Sequence, residues 1–114
     1  MYAKGLVVTQ NYYVAVKWWK LSANQCNKYG RYNLGVMYER GEGGLTQNKH
    51  EAVRLFILSA NQGYSYAQNA LGQMYENGEG GLLKSYAEAR YWYQLAANQG
   101  LDVARKNLDR IRYK

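Results

Sequence analysis

Proline is absent from this 114-residue chain, and cysteine, histidine and phenylalanine occur once each. Without proline, no helix carries the kink imposed by a fixed φ and a missing N–H. The lone Cys26 cannot form an internal disulfide, which excludes a cross-linked secreted framework. One histidine and one cysteine are too few for a His/Cys metal centre, so no metal and no cofactor is expected. No apolar run approaches the roughly 20 residues of a membrane-spanning helix. The start, MYAKGLVVTQNYY, lacks the charged, long apolar and small-residue segments of a secretory signal. The compartment stays open, with a cytoplasmic location as the default expectation.

Acidic residues are missing from the first third. Residues 1–38 carry Lys4, Lys17, Lys20, Lys28 and Arg31 and no Asp or Glu, whereas the middle of the chain is close to neutral. Residues 101–114 are basic again, with Arg105, Lys106, Arg110, Arg112 and Lys114 against Asp102 and Asp109. The net charge of +7 therefore sits at the two ends. What the chain has in abundance is tyrosine, thirteen residues. Much of its apolar bulk thus carries a hydroxyl that needs water or a partner, which suits a thin, open structure.

The pentapeptide LSANQ occurs at 21–25 and 58–62, and LAANQ follows at 95–99. A period of this length dictates architecture. Residues 21–57 align with 58–94 over their whole length; residues 95–114 begin a further copy, and residues 1–20 match the second half of one. Each unit reads as two helices. The first, over about 28–39 and 65–76, sets Leu34 and Tyr38, or Leu71 and Tyr75, on one stripe with Gly30 or Ala67. Gly35 and Gly72 lie beside that stripe, at about 1 kcal/mol cost against Ala, and their recurrence predicts close approach by a neighbouring backbone. GEGGL, at 41–45 and 78–82, ends the first helix with a glycine cap. The second helix starts near Gln47 or Lys84 and steps small, large, small through Ala52, Phe56, Ala60 and through Ala89, Tyr93, Ala97, as Ala15, Trp19 and Ala23 do upstream. Asn-Gln before Gly63 or Gly100 turns the chain back. Such pairs cannot bury their stripes alone. The expectation is an all-α, right-handed α/α solenoid of stacked antiparallel helix pairs, with about five full helices and an N-terminal remnant. It forms one domain, with partial repeats at 1–20 and 95–114 and full repeats at 21–57 and 58–94.

A small residue, then LG, xMYxxGxG, a polar loop and a second helix ending in AAxQG resembles the Sel-one-like repeat, a relative of the tetratricopeptide repeat. Leu34, Gly35, Tyr38, Gly41, Ala52 and Gln62 stand where that family has them. The chain departs from it at Val7, in place of the loop glycine, at Cys26, in place of the glycine seen at 63 and 100, and at Asp109 and Arg112 in the last helix. The last change suits a terminal helix with a wetted outer face. The chain opens inside a repeat, so either it is a piece of a longer array or its apolar N-terminal edge is covered by another chain, a route to self-association. The resemblance implies a scaffold that binds proteins rather than an enzyme.

Catalytic constellations are poor. His50 neighbours Glu51, but adjacent helical residues point about 100° apart, and Cys26 has no His or Asn at a recognisable spacing. GEGG lacks the preceding strand and following GK[ST] of a phosphate loop. By the resemblance, the concave face is lined by the first helices at Tyr29, Tyr32, Val36, Glu39 and Arg40, then Tyr66, Asn69, Gln73, Glu76 and Asn77, then Val103, Lys106 and Arg110. These positions vary between copies, and Tyr and Arg are the side chains that most often anchor interfaces. The partner expected is a protein or peptide bound on this face. Nucleic acid or another polyanion is the alternative, on a pI near 9.5 and basic ends with interleaved tyrosine.

Overall fold

The computed structural model describes residues 27–114. Among the described residues the chain is all-helical: α1 Lys28–Arg40, α2 Lys49–Asn61, α3 Ser65–Asn77, α4 Tyr86–Asn98 and α5 Asp102–Ile111. Each helix packs on its neighbours in sequence, α1 on α2 and so on to α5, the nearest-neighbour pattern of a solenoid. The N-terminal remnant, with Val7, Ala15, Trp19, Ala23 and Cys26, and with it the N-terminal edge, lies outside the described residues.

Helix ends follow local chemistry. Gly41 and Gly78 adopt left-handed conformations at φ 70° and 68° and close α1 and α3 by donating to the carbonyls of Met37 and Met74. The second helices begin two residues later than the sequence suggests, because Asn48 and Ser85 act as N-caps. Their side chains accept hydrogen bonds from the Glu51 and Glu88 amides, each at 3.1 Å.

Gly35 and Gly72 are indeed points of close approach, but what approaches is an aromatic ring. A Cβ on Gly35 would sit 2.8 Å from Phe56 Cε1, and one on Gly72 would sit 2.7 Å from Tyr93 Cδ1. Phe56 and Tyr93 are both fully buried in these slots, a burial contributing on the order of 1.5–3 kcal/mol each. Ala52, Ala60 and Ala89 line the core as expected, whereas in α4 it is Ala96 that is fully buried and Ala97 is partly exposed. The position matching Ala96 in α2 is Ser59, whose hydroxyl donates to the Lys28 carbonyl at 2.7 Å.

Polar ties join one repeat to the next. Gln99 donates to the Gly63 carbonyl at 2.8 Å and to Gln68 Oε1 at 3.0 Å, so the recurrent glutamine does more than open a turn. In the GEGGL loop of the second unit, Glu79 pairs with Lys49 at 2.9 Å, and a Cβ on Gly80 would meet the Lys49 carbonyl at 2.6 Å. Only the first glycine of that loop caps a helix; the next two let the loop lie flat on the start of α2.

Candidate interaction surface

The first helices α1, α3 and α5 stand side by side, as direct contacts between their side chains show. Tyr32 of α1 lies 6.3 Å from Tyr66 of α3, ring to ring. Asn107 of α5 donates to Asn69 of α3 at 3.0 Å, and Arg110 of α5 binds Glu76 of α3 through both guanidinium nitrogens, the longer contact being 2.9 Å. The thirteen residues proposed from sequence therefore fall on one continuous row of helices.

At the α1 and α3 end this row carries a tyrosine cluster. Tyr64 is its hub, meeting Tyr29 and Tyr32 edge to face at 4.9 and 5.3 Å and Tyr66 at 5.5 Å. Tyr32 reaches down to Phe56 at 5.7 Å, so the cluster is fixed to the core beneath it. Tyr29 and Tyr66 nevertheless remain about half exposed, at 51% and 50%. Lys28 sits over the Tyr29 ring at 5.4 Å. Burial first, and then the neighbouring phenols, push the Tyr32 and Tyr64 hydroxyls above the ordinary tyrosine value, so at neutral pH both are uncharged and can donate. Tyr64 carries no repeat signal because it occupies the turn before α3, where the other units carry Asn27 and Leu101. Its one signal was a large aromatic in a turn otherwise built for reversal.

The remaining predicted residues divide. Val36 is partly buried against the core and shares a stripe with Tyr32, while Arg40, Gln73 and Lys106 are exposed, as are Asn77 and Val103. Asn69 is buried, 9% exposed, and spent on Asn107, which makes it a tie between repeats rather than an available contact. Arg110 is likewise committed to Glu76. That carboxylate also accepts a 2.7 Å bond from the buried Tyr93 hydroxyl. The Arg110 hydrogen bond, opposed by burial and aided by Tyr93, holds Glu76 below the usual carboxylate value.

Glu39 is the counterpart of Glu76 one repeat earlier and meets different surroundings. The place of Tyr93 is taken by Phe56, which has no hydroxyl, and the place of Arg110 by Gln73, whose amide makes no bond to Glu39, so neither of those two bonds is formed. Burial first, and then Glu79, push the Glu39 carboxyl above its ordinary value, against the pull of Lys49 and Arg40.

His50 and Glu51 do not converge: the imidazole lies where a Cβ on Gly81 would meet it at 2.8 Å, while Glu51 binds Arg54 at 2.5 Å. Cys26 lies outside the described residues. Among the described residues no group of three or more His, Cys, Asp or Glu side chains could hold a metal, and no helix is long and apolar enough to cross a membrane.

The Sel1 repeat family model matches residues 1–25, 28–64 and 65–101. A search of the curated proteins finds no match. Among solved structures, the chain is similar to a protective antigen present in uropathogenic Escherichia coli strains that displays an SLR fold, with 34% identity and a TM-score of 0.77 over 86% of this chain and 23% of that one. It is similar also to a Sel1 repeat protein from Oxalobacter formigenes, with 32% identity and a TM-score of 0.80 over 85% of this chain and 39% of that one. The chain thus spans less than two fifths of the length of either neighbour. With matched segments starting at 28 and 65, on the first residues of α1 and α3, and with structures of the same repeat superposing on the helix stack, the chain belongs to the Sel1 repeat family.

Proposed function

We propose that this chain is a non-catalytic scaffold that binds a peptide or protein partner on the concave face formed by α1, α3 and α5. Sel1 repeat proteins are generally protein-interaction scaffolds and generally not enzymes. The observation that carries the finer reading is the cluster of Tyr29, Tyr32, Tyr64 and Tyr66, in which Tyr29 and Tyr66 are half open to solvent while Tyr32 packs on the core. Exposed tyrosines already held by ring contacts lose little side-chain entropy on docking, and they present a wide apolar area with hydroxyls at its rim. The testing experiment is a pull-down with wild-type protein and with Tyr29→Ala, Tyr32→Ala and Tyr66→Ala combined. A partner lost in the variant, with the helical content intact, supports the reading; equal retention removes it.

A further inference from the structure

We propose that Glu39 is the receptor for an arginine side chain of the partner peptide. The inference rests on the concave-face reading and names the partner chemistry for it. It comes from comparing two copies of one site within the same chain. In the α3–α5 copy, Glu76 is held by two donors, the Tyr93 hydroxyl at 2.7 Å and the Arg110 guanidinium in a two-point grip. In the α1–α3 copy both donors are replaced, by Phe56 and Gln73. Lys49, the nearest cation on α2, is already bonded to Glu79 at 2.9 Å, and the bond at this position from Gln47 goes to the Glu39 backbone carbonyl, not to its carboxylate. Lys49 and Arg40 act on the Glu39 carboxylate through space without a hydrogen bond to it, and a guanidinium arriving from outside would supply the pair of bonds that Arg110 supplies next door.

The acceptor and Tyr32 of the tyrosine cluster lie along one helix. Tyr32, Val36 and Glu39 lie on one stripe of α1, and the Tyr32 ring continues into Tyr66 and Tyr64. Seven residues, about 10 Å along the helix, separate Tyr32 from Glu39, so a peptide whose arginine meets Glu39 would lay its neighbouring residues over Val36 and the rings. The net charge of +7 repels basic peptides from the molecule as a whole. An arginine preference therefore has to come from a local acceptor.

The repeat itself supplies the decisive variant. Gln73→Arg puts at the first site the residue that occupies the second, so it should occupy Glu39 from within while leaving the fold intact. A phage-displayed library of random heptapeptides is selected in parallel on wild type, Glu39→Gln and Gln73→Arg, each checked by thermal melting, with Gln73→Arg expected to melt no lower than wild type. Wild type should select peptides rich in arginine, and the excess should fall about tenfold or more on both variants, the loss of one charge-assisted contact worth roughly 1.4 kcal/mol. No arginine excess on wild type, or an excess unchanged on both variants, overturns the proposal. Peptides that lack arginine but are lost on a fourth bait, Tyr29→Ala with Tyr66→Ala, overturn this inference alone; failure to select any peptide contradicts the concave-face reading as well.

Discussion

The ring of Tyr93 fills the space in which Gly72 would carry a β-carbon, and that atom would lie 2.7 Å from Tyr93 Cδ1. The same relationship holds between Gly35 and Phe56, so each repeat locks its two helices together with a ring laid on bare backbone. Replacing Gly72 by Ala adds about 1 kcal/mol of helix propensity and loses about 1–3 kcal/mol to overpacking in a dense core. The expected net result for Gly72→Ala, and for Gly35→Ala, is a loss near 1 kcal/mol in urea denaturation. Gly80→Ala should cost more, because φ is +63° there and the new atom would also meet the Lys49 carbonyl at 2.6 Å. A gain in stability at Gly72 would show that the ring can shift freely.

Asn48 and Ser85 each cap a second helix through one side-chain bond at 3.1 Å. Asn48→Ala and Ser85→Ala are each expected to lower stability by about 1 kcal/mol, and together by roughly the sum, since they cap different helices. Equal melting of wild type and double variant would exclude the caps as a source of stability.

The two related carboxylates should respond to pH in opposite directions. Glu76 titrates below its ordinary value of 4.5 in the folded state, so its stabilisation is present above that value and is lost as pH falls through the depressed one. Glu39 titrates above it, so its ionisation costs stability at neutral pH and the cost vanishes on acidification. Glu76→Gln should therefore lower the melting temperature at pH 7, with the gap narrowing as Glu76 protonates. Glu39→Gln should raise it slightly at pH 7 and converge with wild type in acid. Melts of the three proteins from pH 7 down to pH 3 decide this, and parallel curves would contradict it.

Much of this architecture is legible in the sequence because it repeats. The stripe of Leu34 and Leu71, the glycine caps at 41 and 78 and the reversal at Gly63 and Gly100 all recur at one spacing, and each states a local requirement that needs no knowledge of the fold. What the repeat hid was contact between units. Asn69 reads as a surface polar residue from its own helix, but its partner Asn107 comes from α5. Arg110 reads as an interface anchor from its own helix, but α3 brings Glu76 beside it. Tyr64 escaped notice because turn positions have no periodic stripe to betray them. The second helices start at Lys49 and Tyr86, not at Gln47 and Lys84, since a cap is chosen by hydrogen bonding that apolar spacing does not record.

Binding to nucleic acid is expected to be weak. Among the described basic residues, Lys49, Arg54, Arg105, Arg110 and Arg112 are each paired with a carboxylate, which leaves less free charge than the composition suggests. Titration of a fluorescent single-stranded DNA and RNA at low salt should give little binding. Tight binding that collapses by about 10³-fold or more between 50 and 200 mM salt would instead favour the polyanion reading.

The central claim is that a partner docks on the exposed tyrosines of α1 and α3. Its most direct measurement is calorimetric titration of the partner recovered by pull-down against wild type and against Tyr29→Ala with Tyr66→Ala. Both rings are half exposed and half packed on Tyr64 and Tyr32, so their removal should lower the melting temperature while leaving the helical content intact. If the tyrosine face carries the binding, affinity falls about thirtyfold or more, the loss of at least one interface anchor. An unchanged dissociation constant in a folded double variant would contradict the account.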